Sequence, residues 1–509
     1  MSEQTGEQSM VGYAPTSTRT DSVARNLLLA NSANYLEYFI GLIVSLLIAR
    51  SLGPSDYGIY VFMIWMVSIA VAVTNEGFNL SVTKHVAEDS QDDNRPSISL
   101  IVQFFERAHL TRLLIFMLPL ALATWLNSVE RGTAFTAFAV SALCACFFFR
   151  ARHMLRVSTF RGMEKFWGVA IAPFVMTPLN LASAIVLYLW GAPIWAYLVQ
   201  YLVISAGFYL CTRFFLLRRS GYVAPALRHG RFMGYFDKVG EYNRYVGPSA
   251  ILAYIMASQT EVLFLNLFSS TEVVAFFNVG FVLAGAIATL VPGIINMVLL
   301  PMVSRSMAKG IDVVRGIVEQ TLRYQLYLNF LVLGPTYLYA ETVVVFLFGE
   351  EYRAASVPFF WLVVIYCGAN FVSAFNSYLL AANEHRLLLR VSIWGAVFGL
   401  LCDLVLVYLF DLSGAIWALG LTMFWYVTAR IVPANRRLRA VLRPLHLLLT
   451  IAFCVLATVL AATASAGTSG VLGAVLGTLL YVLVFSACFY VSPVLPAQGR
   501  DYLRGVLSR

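Results

Sequence analysis

Three carboxylic acids interrupt long apolar stretches of this chain: Glu37, Glu261 and Asp403. An ionisable group at hydrocarbon depth costs about 2.5–3.5 kcal/mol on insertion scales, so such groups face a cavity or a partner and are candidates for proton or ion coupling. Around the first, Asn31, Asn34, Glu37, Gly41 and Ser45 recur at spacings of three and four, which puts them on one stripe of a helix. Ser258 shares a helical face with Glu261, and Asn370, Ser373 and Ser377 form a similar line with Asn376 beside it. These stripes are expected to line a cavity; the alternative is that they bond one helix to the next.

Arginine is the second chemistry-bearing type. Its permanently charged, planar guanidinium suits an anion, and Arg25, Arg152, Arg161 and Arg213 fall at helix ends where an anionic head group could enter. Most such arginines only report topology and touch lipid head groups. Arg50 differs, because it lies on the opposite side, where basic residues are otherwise scarce; it could hold an anion or pair with Asp56 across a turn.

The elements that must position these groups are membrane helices. Of 509 residues 60% are hydrophobic and 12% charged, where ordinary globular proteins carry roughly 25% charged residues. About fourteen apolar segments are long enough to span about 30 Å of hydrocarbon, beginning with 27–49 and 57–78 and including 135–149 and 387–410. The residues Ala49-Arg50-Ser51-Leu52-Gly53-Pro54-Ser55-Asp56-Tyr57-Gly58 separate the first two and read as a tight hairpin, since proline fixes φ and glycine tolerates unusual dihedrals. No cleavable signal peptide is evident, and 1–22 reads as a disordered cytoplasmic tail.

All but about three of the 35 basic residues fall on one side of this arrangement, which is expected to be cytoplasmic and to hold both termini. The longest polar connections, 84–107, 217–243 and 304–322, lie on that side; the opposite loops are too short for a folded domain. Six helices after the first copy, landmarks recur at an offset of about 216 to 222 residues: Trp195 with Trp417, Glu164 with Glu384, Tyr188 with Tyr408, Arg107 with Arg323. An even shift keeps both copies in one orientation, so they are related by an axis along the membrane normal. The expected fold is an all-α polytopic membrane protein, with two parallel-repeat six-helix bundles around a central cavity, 23–217 and 244–432. A linker at 218–243 joins them, and two further helices lie within 433–509.

In the segments Ala49 to Pro54, Tyr57-Gly58-Ile59-Tyr60, Phe160-Arg161-Gly162-Met163-Glu164-Lys165-Phe166, Leu300-Pro301-Met302-Val303-Ser304, Phe346-Leu347-Phe348-Gly349-Glu350-Glu351-Tyr352 and Gly414-Ala415-Ile416-Trp417, the chain resembles the polysaccharide transport family. That family includes the O-antigen flippases, within the multidrug/oligosaccharidyl-lipid/polysaccharide (MOP) exporter superfamily. The resemblance implies a bacterial inner-membrane flippase moving a polyprenyl-diphosphate-linked oligosaccharide by alternating access, with Arg25, Arg50, Arg152, Arg161 and Arg213 as candidates to hold the diphosphate and glycan polymerase or export machinery as partners. It also implies an acidic residue, often Asp, where Glu261 stands.

The pattern excludes several chemistries. No Walker A loop, H-E-x-x-H or G-x-S-x-G is present, so the chain is expected to be no enzyme, to need no cofactor or metal, and to draw on an H+ or Na+ gradient for uphill transport. The seven cysteines all lie inside apolar runs and support neither a disulfide framework nor a zinc site. The net charge of +9 follows membrane topology and implies no nucleic-acid partner. Two other readings remain: a multidrug or toxin extruder of the same superfamily, and a membrane glycosyltransferase or ligase, which wants a large outer loop that the sequence lacks.

Overall fold

The computed structural model describes residues 17–88, 98–219, 233–257, 259–290, 293–440, 443–466 and 470–494. Among them there is no strand, and ten helical runs are long and apolar enough to cross a membrane. The chain is a multi-pass membrane protein. The first half comprises α1 (Ser17–Ala87), α2 (Ile98–Ser128), α3 (Thr133–Gly162), α4 (Phe166–Trp190) and α5 (Ile194–Arg219). The second comprises α6 (Met233–Ala257), α7 (Glu261–Phe268), α8 (Thr271–Leu290), α9 (Gly293–Met307), α10 (Ile311–Phe348), α11 (Ser356–Asn370), α12 (Val372–Ala381), α13 (His385–Cys402) and α14 (Tyr408–Leu438). Two more helices, α15 (Pro444–Ser465) and α16 (Gly470–Val491), close the described chain.

Two of the long runs fold back on themselves. In α1, Gly53 has φ 70° and ψ 171°, a conformation open to glycine, and Pro54 follows where a helix start tolerates its missing donor. Ser45 and Tyr57, twelve residues apart, approach to 2.6 Å through their hydroxyls. Along a straight helix they would stand about 18 Å apart, so the chain reverses between them. In α14, Asp411 takes φ 55°, and Gly414 lies so close to the Leu406 carbonyl that a Cβ there would sit 1.9 Å from its oxygen. α1 therefore supplies one hairpin, and the turn at Asp411 reverses the chain between α13 and α14 in another. With α1 counted twice and α6–α7, α8–α9 and α11–α12 each read as one interrupted span, the architecture accounts for about fourteen crossings.

Several helices outrun the apolar segments that mark them in the sequence. α3 continues through Arg150, Arg152 and Arg156 to Gly162, because no glycine or proline intervenes, so these arginines lie on a helix and not in a loop. The polar connections shrink correspondingly: α1 reaches Ala87, α2 begins at Ile98, α6 at Met233, and only 308–310 separate α9 from α10. The first six residues of the helix that opens α1 fall inside the expected tail, whose remainder, 1–16, lies outside the described residues, as does 220–232 of the expected linker.

The largest apolar cluster runs through both halves, from Val44, Tyr57 and Val67 to Val262, Phe277, Phe359 and Leu419. Within lipid the gain comes from close packing and interhelical hydrogen bonds, because lipid tails already satisfy apolar surface. Gly58 illustrates it: a Cβ there would fall 1.7 Å from the Thr271 carbonyl oxygen, so glycine is what allows the α1 hairpin to touch the start of α8. At the other end of the molecule Gly77 meets Gly247 of α6, where a Cβ would fall 2.4 Å from the Gly247 Cα. α6 thereby leans across the second half of α1.

Candidate functional site

Between the halves lie two adjoining compartments of about 520 and 550 Å³, which share Gly41, Ser45, Arg150, Asn180, Gln259 and Phe281 in their walls. Arg150 lines both. It stands seventeen residues into α3, about 26 Å from the helix start, while Glu37 stands about 24 Å before the Gly53 turn. The two charges therefore lie at similar depth, near the end away from the α1 hairpin.

Arg150 is held in place. Its Nε donates to Ser205 Oγ at 3.1 Å, and its guanidinium lies 5.0 Å from the Tyr201 ring centre and 5.1 Å from that of Phe208. Such cation–π contacts orient a guanidinium without neutralising it. Glu37 lines the second compartment, is exposed to it, and makes no hydrogen bond among the described residues. The remaining polar wall is made of carboxamides: Asn180, Gln200, Gln259 and Asn278. Gln200 Nε2 donates to the Asn180 carbonyl oxygen (3.0 Å) and Oδ1 (3.1 Å), tying α5 to α4. Tyr57, Tyr60, Trp65, Tyr201 and Tyr254 supply aromatic faces and hydroxyls.

The structure separates the residues singled out in the sequence. Glu261 and Asp403 do not line these compartments. Both are buried, at 4% and 1% exposure, and they act on each other electrostatically where α7 meets the helical stretch after α13. Thr260 Oγ1 donates to Asp403 Oδ2 at 2.7 Å, and Asp403 Oδ1 has no partner among the described residues. The backbone widens to a π-helical turn over Asp403–Val407, a distortion found often at functional sites. Ser258, expected on the face of Glu261, lies outside the described residues.

The polar line on α11 and α12 bonds helix to helix instead of facing the cavity. Asn370 Nδ2 donates to Asn329 Oδ1 of α10 at 3.0 Å, Gln325 Nε2 donates to Ser373 Oγ at 2.6 Å, and Asn376 Oδ1 accepts from Arg430 of α14 at 3.1 Å. These side chains bond one another across neighbouring helices, and none of them lines the two compartments.

The arginines divide in the same way. Arg152 pairs with Glu106 of α2 and donates to its backbone carbonyl at 2.8 Å, and Arg156 shares the same carboxylate at 3.3 Å, so Arg152 ties α3 to α2. Arg213 is exposed and donates to Tyr209 OH, one turn back, at 3.1 Å. Arg161 is exposed near the end of α3, close enough to Glu76 to act on its charge. Arg50 does not pair with Asp56, which binds Arg131 at 2.7 Å; Arg50 donates to the Phe346 carbonyl of α10. Asn34 and Arg25 lie on α1, with side chains outside the described residues.

Among the described residues no cluster of three or more His, Cys, Asp or Glu could hold a metal ion. Sequence reasoning missed Arg150 because it ended the helix at Phe149, where the apolar run stops. Gln200 and Asn278 carried a legible signal, as carboxamides in the middle of apolar helices, but a search for charges passes over them.

A family model described as polysaccharide biosynthesis protein matches residues 23–307. Among solved structures, a lipid II flippase MurJ in an inward closed conformation has a TM-score of 0.69 at 11% identity, covering 91% of this chain and 99% of that one. An inward-facing MATE-family multidrug resistance transporter of the MOP superfamily has a TM-score of 0.61 at 14% identity, covering 81% and 98%. A MOP superfamily transporter from Pyrococcus furiosus reaches 0.57 at 12% identity, covering 82% and 95%. At these identities the likeness is one of fold. No curated protein matches the sequence.

Proposed function

The chain belongs to the polysaccharide biosynthesis protein family, and from that premise we propose that it is a flippase carrying a polyprenyl-diphosphate-linked oligosaccharide across a bacterial inner membrane for surface polysaccharide assembly. The observation that carries this reading is the position of Arg150: a fixed cation on the wall of a cavity between two halves, without a carboxylate bound to it among the described residues. A diphosphate supplies the missing anion, and the carboxamides and aromatic rings around it offer the hydrogen bonds and stacking faces that sugars use.

In this reading 23–217 and 244–432 are the two lobes, both termini are cytoplasmic, and the α1 hairpin faces outward. The contacts of that hairpin with α8 and α10 close the outer end, and α6 against α1 covers the inner one. Transport then alternates between states in which one end or the other parts, and glycan polymerase or export machinery receives the product. The buried Glu261–Asp403 pair is the coupling site for H+ or Na+. Two buried carboxyls close enough to act on each other favour taking up a cation or proton, and the loss of that charge alters how α7 and the π-helical turn pack.

Reconstitution tests the reading. In proteoliposomes a polyprenyl-diphosphate-linked disaccharide becomes accessible to an impermeant oxidant faster than in protein-free vesicles. Equal rates sink it. The multidrug-extruder alternative has one observation in its favour, the cavity carboxylate Glu37, which suits an organic cation. It requires that overexpression raise resistance to cationic drugs.

A further inference from the structure

The charges of the cavity are few and unequal in their commitments. Among the described residues lining the two compartments, only Arg150 and Glu37 carry a formal charge, and the rest of the polar wall is neutral amide and hydroxyl. Arg150 borders both compartments and is braced by Ser205, Tyr201 and Phe208. Glu37 borders one compartment, is exposed to it and has no hydrogen bond among the described residues.

Resting on the flippase reading above, in which Arg150 takes the diphosphate, we propose that Glu37 sets the class of glycan: the sugars next to the diphosphate are uncharged or carry an amino group, and acidic sugars are rejected. The reasoning is electrostatic. Once a phosphate occupies the single cation, nothing else lining these compartments among the described residues can neutralise a second anion. A carboxylate on the neighbouring sugar would face Glu37 in a confined space of low effective dielectric, where like charges repel far more than in water. A hydroxyl, an amide N–H or an ammonium group in the same place finds an acceptor in Glu37 and makes a charge-assisted bond with it. Specificity then comes from a repulsive element built against the wrong substrate as much as from contacts to the right one.

The test uses the full chain in proteoliposomes with two probes that differ by one carboxylate on the sugar next to the diphosphate: a polyprenyl diphosphate bearing glucose, and its counterpart bearing glucuronate. Exposure to external periodate is followed for each. The expected result is at least tenfold faster translocation of the neutral lipid, a discrimination of about 1.4 kcal/mol, narrowing to within about threefold in Glu37→Gln as the repulsion goes. The wild-type comparison needs no variant to fold. Equal or faster movement of the glucuronate lipid by wild type overturns the proposal while leaving the flippase reading standing. An unchanged ratio in a folded Glu37→Gln protein overturns the role of Glu37. If neither lipid moves faster than in empty vesicles, the flippase reading itself fails, and this inference with it.

Discussion

Ser55 and Thr271 stand 216 residues apart in sequence and 3.5 Å apart through their hydroxyl oxygens. That separation falls within the offset of about 216 to 222 residues at which the landmarks recur in the sequence. The turn of α1 and the start of α8 therefore meet at this end of the molecule. Around them Asn278 Nδ2 donates to Tyr57 OH at 3.0 Å, and Tyr352 OH donates to the Ala49 carbonyl at 2.8 Å. The hairpin motif and the Gly349-Glu350-Glu351-Tyr352 motif, separate signals in the sequence, are two sides of one clasp.

Joining the clasp covalently is expected to stop transport. Ser55→Cys with Thr271→Cys, oxidised, holds the hairpin end shut, and reduction restores activity. Each single cysteine leaves activity near the wild-type rate under the same oxidant, which also controls for the seven native cysteines. The idea fails if the oxidised, fully cross-linked protein still translocates lipid.

Arg150 and Arg152 are separated by one residue and predicted to fail differently. Arg150→Ala is expected to lower translocation by at least about tenfold, with Arg150→Lys recovering part of it, since a lysine keeps the charge but loses the planar, two-pronged geometry. Arg152→Ala instead leaves Glu106 short of a partner between α2 and α3 and is expected to cost roughly 1–3 kcal/mol of stability. Thermal unfolding in detergent beside the translocation rate separates them. The same fall in stability for both variants would remove the basis for treating Arg150 as a ligand group.

This contrast marks what was legible in the sequence. The hairpin was, because Gly53-Pro54 admits few conformations. The helical ends were not: apolar length measures lipid, whereas a helix continues until a breaker, which for α3 arrives at Gly162. Partners were not legible either. Asn370, Asn376 and Arg152 have the composition of ligand groups, yet each is taken by a residue more than 35 positions away, a fact carried by packing alone. Glu37 and Asp403 look alike as acids in apolar runs, but one opens into a compartment and the other is sealed against Thr260.

The sealed pair predicts an energetic phenotype. Asp403→Asn and Glu261→Gln each remove one ionisable carboxyl from a shared site, so gradient-driven accumulation is expected to fall by at least about tenfold while downhill exchange survives. Measuring both modes in the same vesicles is decisive. Parallel loss of both indicates a broken fold, and unaltered gradient dependence in either folded variant removes the coupling assignment.

The last two helices are keyed onto α10 by tyrosines set into glycines. Tyr481 is fully buried, its hydroxyl donates to the Phe330 carbonyl at 2.7 Å, and a Cβ on Gly334 would fall 2.2 Å from its ring. A mirrored contact places the Tyr339 hydroxyl 1.7 Å from where a Gly477 Cβ would be. Because the ring is fixed by both packing and a hydrogen bond, it cannot move aside, and Gly334→Ala is expected to cost about 1–3 kcal/mol by overpacking. Tyr481→Ala should cost a similar amount through the cavity it leaves. Combined, the two changes relieve each other, so the double variant is expected to be more stable than the sum of the singles predicts. Strict additivity in thermal unfolding shows instead that the ring is free to move, and that α15–α16 is not locked to the second lobe through this contact.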